Sequence, residues 1–370
     1  MTSIDRSTSA EAAVVRVPLT AVKGRGAATR LAHRFARDAR EAFDDGWEVV
    51  EEEGASPPRT EVTWETARSI IASNDSPDIH FDRSINPYRG CEHGCIYCYA
   101  RPTHSYLNLS PGLDFETRII AKRNAAQLLR QEMARKGYQP QLIAIGTATD
   151  CYQPVERELR LTRGLIEVMH EANHPFALVT KSGGVERDID LIAPMAAKGL
   201  AAVYVTITTL DADLARRLEP RAAAPHRRLR TLKTLAEHGI ACGVSLAPQI
   251  PFLNDDMEQV LEAAWEAGAR EAFYHVLRLP WEVAPLFRQW LEVHYPDRAA
   301  RILHRIQDMR GGKDYDADFA TRMKGSGLWS DLLAQRFRKA TQRLGFNAKK
   351  KVFPTVDFRP PALHGQGSLF

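Results

Sequence analysis

The sequence predicts an α/β protein whose core is a partial (β/α)6 TIM-like barrel. Six short strands are predicted between residues 81 and 277, most of them nearly continuous apolar runs, and each is followed by a stretch with helical periodicity. Such alternation indicates a parallel sheet covered by helices. No glycine-rich nucleotide fingerprint follows the first run, which favours a curved partial barrel over a doubly wound sheet.

The β–α units can be assigned along the chain. Strands are expected over 81–88, 142–146, 176–180, 202–207, 240–246 and 272–277. Helices are expected over 115–136, 155–171, 187–198, 227–237, 257–265 and 283–293.

The core is expected to span residues 61–295, with an extension on each side. Residues 1–60 are predicted to form an N-terminal arm that either folds over the core or is partly disordered. Residues 296–353 are predicted to be helical and basic, and 354–370 to be a flexible tail. The basic character comes from a run without an acidic residue: Arg336, Arg338, Lys339, Arg343, Lys349, Lys350 and Lys351.

The composition is that of an ordinary globular protein, with 44% hydrophobic and 26% charged residues. No run of 18 apolar residues occurs, so no membrane span is expected. Five cysteines in 370 residues, without an export signal, argue against a disulfide framework and for a cytoplasmic location. The net charge of +4 permits a nucleic-acid partner without requiring one.

Three cysteines, Cys91, Cys95 and Cys98, follow the first strand with the spacing C-x3-C-x2-C. Three thiolates on one short loop can bind one soft metal centre, and Gly90 and Gly94 allow the turns that this needs. Three ligands leave one coordination position open for a substrate. The alternative is a Cys3His zinc site that uses His93, which would make the protein a non-catalytic, zinc-stabilised DNA-binding module.

Polar side chains follow the other predicted strands. In parallel barrels, functional groups gather at the carboxyl ends of the strands. Hydroxyls and charges suit a polar, charged ligand, although Thr and Ser also simply end strands and cap helices. These strand-end residues include Thr149, Asp150, Thr180, Lys181, Ser182, Thr208, Gln249 and Arg278.

The cysteine triplet, with Tyr97 just before its last cysteine, resembles the signature of the radical S-adenosylmethionine (radical SAM) enzymes. Over residues 60–345 the chain is similar to an uncharacterised branch related to spore photoproduct lyase, often labelled DNA repair photolyase-like. The segments that carry this similarity are RSINPYRGCEHGCIYCYARPTH (83–104), TATDCYQPVE (147–156), TKSGG (180–184), TTLDADLARRLEPRAAAP (208–225) and SLAPQIPFLND (245–255).

The resemblance implies a [4Fe–4S] cluster held by the three cysteines, with S-adenosylmethionine on its fourth iron. Reduction would cleave S-adenosylmethionine to methionine and a 5′-deoxyadenosyl radical, which abstracts a hydrogen atom from the substrate. A reductant such as flavodoxin or ferredoxin is implied. The residues that would bind the cofactor are Tyr97, Thr149, Asp150, Ser182, Thr208 and Gln249.

The resemblance also implies a lyase acting on DNA, whose hydrogen donor is a cysteine. Cys151 is the candidate at a strand end, although it is also explained as an incidental loop cysteine, and Cys242 is expected in the core. Glu219 and Arg221 are expected either to pair or to bind ligand. Modification of RNA, protein or a small molecule is the alternative activity.

Two terminal features suggest macromolecular partners. The basic run over 336–351 is either a nucleic-acid face or a solvated helix face. Gln366, Leu369 and Phe370 resemble the peptide that binds the bacterial sliding clamp, although Gly367 stands where a larger apolar residue is usual. The alternative is that the final apolar pair packs on the enzyme itself.

Overall fold

The computed structural model describes residues 19–36, 58–349 and 351–363. The expectations for Lys350 and for Gln366, Leu369 and Phe370 lie outside the described residues, as does most of the predicted arm.

Within this part of the chain the strands are β1 (Glu61–Glu65), β2 (Ile71–Ser73), β3 (Arg83–Ile85), β4 (Tyr88–Arg89), β5 (Arg118–Lys122), β6 (Ile143–Ile145), β7 (Phe176–Thr180), β8 (Ala201–Thr206), β9 (Cys242–Gln249) and β10 (Glu271–Val276).

The α-helices are α1 (Leu113–Thr117), α2 (Ala125–Met133), α3 (Glu156–Leu159), α4 (Leu161–Ala172), α5 (Ile189–Ala197), α6 (Ala212–Leu218), α7 (Pro225–Glu237), α8 (Met257–Glu266), α9 (Val283–His294), α10 (Pro296–Asp308) and α11 (Leu328–Leu344). Two 3₁₀ helices span Arg101–Leu107 and Gly183–Asp188.

The main sheet has the strand order β10-β9-β8-β7-β6-β3-β2. Six neighbouring strands, from β3 to β10, are parallel, and only β2 is antiparallel at one edge. The register aligns apolar residues: Ile85 is opposite Ile145, which is opposite Leu178. The predicted partial (β/α)6 architecture is therefore confirmed, and the described strands form an open sheet rather than a closed barrel.

The helix predicted over 115–136 is wrong, because Arg118–Lys122 form β5 in a second sheet of order β1-β5-β4. Ile119 and Ala121 of β5 are fully buried. Lys and Arg at the ends of this short strand match helical composition equally well. The strand is stabilised by pairing with β1, which is more than fifty residues earlier and gives no local signal.

Three other element predictions need correction. The strand predicted over 81–88 is split into β3 and β4, which belong to different sheets. The helix predicted over 155–171 is broken at Arg160, whose φ of 52° is left-handed. The helix predicted over 187–198 begins as a 3₁₀ turn, and α6 was not predicted at all. Asp211 caps α6 by accepting hydrogen bonds from the first backbone N–H groups.

Two buried apolar clusters position the site. The larger lies between the main sheet and its helices. The second joins the cysteine loop to the end of the sheet, since it contains Cys95, Ile96 and Tyr97 together with Leu277 and Leu279. The cysteine loop is therefore packed against the carboxyl end of β10. Among the described helices, none has the length and apolar character needed to span a membrane.

Candidate metal and cofactor site

The cysteine loop begins directly after β4 and turns at two glycines. Gly90 has a φ of 80° and Gly94 a φ of 67°, both in the left-handed region that favours glycine. A Cβ on Gly94 would lie 2.7 Å from a carboxylate oxygen of Glu116. The expectation that both glycines are needed for the turns is confirmed.

A buried ion pair holds the backbone of this loop. The Arg101 guanidinium donates hydrogen bonds to the carbonyl oxygens of Cys95 at 2.9 Å and Gly94 at 3.1 Å. The same guanidinium contacts the Glu116 carboxylate at 2.5 Å, and both side chains are fully buried. The loop shape is therefore fixed by two charged residues that the sequence did not single out.

Glu116 also attaches the N-terminal arm to the loop. Its carboxylate accepts hydrogen bonds from the backbone N–H groups of Gly26 and Ala27, both at 2.9 Å. A Cβ on Gly26 would lie 1.9 Å from the carbonyl oxygen of Gly94. The described part of the arm therefore lies directly on the cysteine loop.

The three thiols are all free, with Cys91 and Cys95 buried and Cys98 half-buried. Burial raises the pKa of Cys95 to about 12 and that of Cys91 well above its ordinary value. A thiolate in such a place needs a bound cationic centre to stabilise it. The three residues thus fit a thiolate-ligated iron–sulfur cluster.

The imidazole of His93 lies against Asp150, which argues against a role as a metal ligand. Its Nδ1 lies 3.2 Å from Oδ2 of Asp150, at an angle that does not make a regular hydrogen bond. The geometry therefore does not favour the Cys3His zinc alternative.

Asp150 lies at the centre of a network that joins two strand ends. Its carboxylate accepts hydrogen bonds from the Thr180 hydroxyl and the Lys181 backbone N–H, both at 2.7 Å. Burial opposes ionisation of Asp150, but His93 and these donors hold its pKa well below the ordinary value. Asp150 is thus an ionised positioning group in this structure.

Three other predicted cofactor residues are engaged with the backbone. The Thr149 hydroxyl donates to the carbonyl of Tyr88 at 3.3 Å. The Ser182 hydroxyl accepts from a backbone N–H at 3.0 Å and begins a 3₁₀ helix. The Gln249 amide donates to the carbonyl of Leu246 at 3.1 Å. These side chains shape the strand ends, and their binding of a cofactor stays a prediction.

The remaining two, Tyr97 and Thr208, share one buried carboxylate. The Tyr97 hydroxyl donates to Glu219, and the Thr208 hydroxyl donates to the same oxygen at 2.6 Å. Arg228 pairs with the other oxygen of Glu219. Burial opposes ionisation of Glu219, but Arg228 and Lys181 hold its pKa below the ordinary value. Of the two roles left open for Glu219 and Arg221, pairing with each other is not observed, because Arg221 pairs with Glu92 at 3.1 Å.

Lys181 lies next to the network of Tyr97, Thr208 and Glu219. It makes no ion pair with the residues that the structure describes. It follows β7, and its Nζ lies 5.9 Å from the centroid of the Tyr97 ring. Burial opposes protonation, but Cys95, Glu219 and Asp150 hold the pKa of Lys181 above its ordinary value. A charged, unpaired ammonium beside the cysteine loop can bind a carboxylate.

Cys151 lies in the main core rather than at an open strand end. Its side chain is fully buried, with Sγ 3.9 Å from the carbonyl oxygen of Val179. Burial raises the pKa of the Cys151 thiol well above its ordinary value. This position gives no support to a role as hydrogen donor. Cys242 is in β9 and buried.

Tyr99 follows Cys98 at the end of the cysteine loop and is 45% exposed. The Arg278 guanidinium, at the end of β10, lies 4.6 Å from the centroid of the Tyr99 ring. Arg278 makes no ion pair with the described residues. An exposed ring and a cation therefore lie beside the cysteine loop.

The basic run in α11 is partly neutralised. Arg336 pairs with Glu258 at 2.6 Å, and Arg343 pairs with Glu262. Both acids are on α8, so these arginines attach α11 to the core. Arg338 and Lys339 remain exposed.

Comparison with known proteins agrees with this site. The model of the radical SAM superfamily matches residues 85–264, which include the cysteine loop and four of the parallel strand ends after it. The chain therefore contains a domain of the radical SAM superfamily. Membership implies a [4Fe–4S] cluster and S-adenosylmethionine as cofactors, and it decides against the zinc-stabilised module.

Relatives are found in bacteria, archaea and a virus. A Mycobacterium tuberculosis H37Rv protein is 35% identical over 224 residues, which are 60% of this chain and 66% of that protein. A Methanocaldococcus jannaschii protein is 29% identical over 58% of this chain and 76% of its own length. Both are described as uncharacterised. The matched region spans just under two thirds of the mycobacterial relative.

Among solved structures, a cysteine-to-serine mutant of spore photoproduct lyase superposes with a TM-score of 0.52. The match has 15% sequence identity and covers 77% of this chain and 80% of the lyase. A tyrosine-to-phenylalanine mutant of the lyase gives a TM-score of 0.50 at 14% identity, over 76% of this chain and 78% of the mutant. At this identity the likeness is one of fold.

Proposed function

We propose that this radical SAM enzyme acts on nucleic acid and carries out a lyase-type repair of a damaged base. The observation that carries the proposal is the exposed Tyr99 ring, one residue after Cys98, with the guanidinium of Arg278 beside it, which makes no ion pair with the described residues. An exposed ring and a cation next to the cysteine loop suit a substrate that has flat bases and phosphates. The fold similarity to spore photoproduct lyase supports the proposal by analogy.

The cofactor chemistry is assigned to the loop. When bound in this loop, a [4Fe–4S] cluster would supply one-electron chemistry for the reductive cleavage of S-adenosylmethionine. Cys91, Cys95 and Cys98 would hold the cluster. Arg101 keeps their backbone in place through its buried hydrogen bonds. An external donor such as flavodoxin or ferredoxin would provide the electron.

The strand ends would bind the methionyl and adenosyl parts of the cofactor. Lys181 offers an ammonium group to the carboxylate, and the ionised Asp150 suits the amino group. Tyr97 and Thr208 act through Glu219, because both hydroxyls are already engaged there. In the same proposal, the cofactor surfaces adjacent to these groups are contacted by Thr149, Ser182 and Gln249.

The test is an anaerobic assay of the reconstituted enzyme with S-adenosylmethionine and a reductant. We expect irradiated DNA to raise 5′-deoxyadenosine formation above the level with intact DNA, and mass spectrometry to show loss of a photolesion. Equal product with both DNAs and no loss of lesion would contradict the proposal. Stimulation by RNA, a peptide or a small molecule would favour the alternative activities.

We also propose a cytoplasmic location, with which the five free cysteines agree.

The bacterial sliding clamp is a further proposed partner. The sliding-clamp interaction through Gln366, Leu369 and Phe370 would bring the enzyme to replicating DNA. Deleting residues 366–370 should leave cleavage of S-adenosylmethionine intact and abolish binding to the clamp. Absence of clamp binding by the full chain at high micromolar concentration would remove this part.

A further inference from the structure

Three exposed aromatic rings surround the guanidinium of Arg34 on the surface near the cysteine loop. Phe35 is 52% exposed, Tyr106 69% and Trp281 63%. The Arg34 Cζ lies 4.7 Å from the Phe35 centroid, 5.3 Å from that of Tyr106 and 4.6 Å from that of Trp281. The rings come from three separate segments of the chain, so the fold has brought them together.

A buried carboxylate fixes this group. Glu282 pairs with the Arg34 guanidinium at 2.7 Å and accepts a hydrogen bond from the Arg34 backbone N–H at 3.0 Å. Its other neighbour is the Ser105 hydroxyl at 3.4 Å, next to Tyr106. The arm, the 3₁₀ helix and the loop after β10 are therefore joined beneath the rings.

Trp281 is held in a conformation that a bulky residue rarely adopts. Its φ is 45°, in the left-handed region. Backbone of this kind persists where the surroundings impose it, and it is common at binding surfaces. Here it presents a largely exposed indole next to a charged group.

A second group of this kind is formed by Tyr99 and Arg278, whose guanidinium lies over the Tyr99 ring. Trp281 is three residues beyond Arg278 in the chain. The two groups of rings and guanidiniums are therefore linked by the short segment from Arg278 to Trp281. We name this surface the aromatic–arginine track, and it consists of Tyr99, Arg278, Trp281, Arg34, Phe35 and Tyr106.

We infer that the aromatic–arginine track binds a single-stranded segment of nucleic acid by stacking its bases on the exposed rings. Every base has a π face, so a row of rings takes a strand of any sequence. Arg278, without an ion pair in the described part of the chain, is available to a phosphate, while Arg34 is neutralised by Glu282 and lies among the three rings. The inference rests on the proposed function, because it names the form of nucleic acid that the site takes.

The experiment compares two fluorescent oligonucleotides of equal length, one with all its bases and one abasic throughout. Binding to the full-length, anaerobically reconstituted protein is measured by anisotropy. We expect the abasic strand, which has the same phosphates, to bind at least tenfold more weakly. Trp281→Ala should weaken binding of the normal strand by roughly tenfold and leave the abasic strand unaffected.

Trp64→Ala is the matched control. Trp64 is 44% exposed with the Arg123 guanidinium 5.8 Å from its ring, but it is in β1 of the small sheet. Its substitution should leave both affinities unchanged. Iron content and thermal unfolding of each variant report whether it has folded, and Tyr106→Leu gives a second test that keeps the side chain large and apolar.

Equal affinity for the normal and abasic strands would overturn the inference, as would equal effects of Trp281→Ala and Trp64→Ala. The proposed function is judged separately. Binding that depends on Trp281, without conversion of any lesion, would reject lesion repair and keep the track. Lesion conversion that is unchanged by Trp281→Ala would keep the proposed function and reject the track.

Discussion

The guanidinium of Arg101 lies 2.5 Å from the carboxylate of Glu116, and both side chains are fully buried beneath the cysteine loop. Arg101 also holds two carbonyl oxygens of the loop, and Glu116 holds two amides of the arm. One ion pair therefore connects the metal-ligand loop to the N-terminal segment that covers it.

We expect Glu116→Ala to lower the free energy of unfolding by about 3–5 kcal/mol, because it leaves the Arg101 charge buried without a partner. Urea unfolding of the apo-protein measures the loss. Arg343→Ala is the control, since Arg343 and Glu262 form an exposed pair, and it should cost less than about 1 kcal/mol. A similar loss of unfolding free energy in the two variants would show that the buried pair stabilises the fold no more than the exposed pair does.

The cysteine assignment predicts a loss of cofactor. Changing Cys91, Cys95 or Cys98 to Ala removes one of three thiolates, so bound iron, sulfide and formation of 5′-deoxyadenosine should all fall to background. Cys242→Ala removes a buried thiol from β9 and should keep full iron content. Normal iron and sulfide in the triple variant would disprove the assignment.

Lys181 is expected to bind the carboxylate of S-adenosylmethionine. Lys181→Met should raise the Kd by roughly tenfold or more, since a charge-assisted hydrogen bond contributes about 1.5–3 kcal/mol. Equilibrium dialysis of labelled S-adenosylmethionine with reconstituted enzyme measures the effect. Lys181→Arg should recover part of the affinity. An unchanged Kd in Lys181→Met, with normal iron, would assign the carboxylate to another group.

Stability should depend on pH through His174. Its Nε2 is 2.9 Å from the Tyr138 hydroxyl and its Nδ1 is 3.0 Å from the Pro175 carbonyl oxygen, so the neutral ring is satisfied on both sides. Burial lowers the pKa of His174 to about 4. Because the unfolded chain binds a proton near the ordinary pKa of about 6.5, stability is complete above that pH and is lost as the pH falls toward 4.

The expected loss from His174 is on the order of 1–3 kcal/mol across this window. His174→Gln should show a shallower dependence of unfolding free energy on pH than the wild type. The control is His304→Gln, because the His304 side chain is 80% exposed. If His174→Gln keeps the wild-type slope between about pH 4 and 6.5, the buried histidine does not set it.

The sequence predicts the parallel strands well, because strands buried on both faces are apolar throughout, as in Phe176–Thr180. It fails at Arg118–Lys122, where the strand is stabilised by a distant partner. The cysteine ligands and turn glycines are recognisable because their spacing is local. The Glu219 network is not, since Tyr97 is 122 residues from Glu219. The burial of Arg101 is likewise not predictable, because nothing in the local sequence distinguishes it from an arginine on the surface.

The close approach of Gly26 to the carbonyl of Gly94 places the arm and the cysteine loop in mutual contact. Ala27 belongs to the same apolar cluster as Cys95. We therefore expect iron and sulfide to reach this cysteine most readily before residues 26–27 pack on the loop, so that the order of cluster insertion and of folding at the N-terminal segment would matter for maturation.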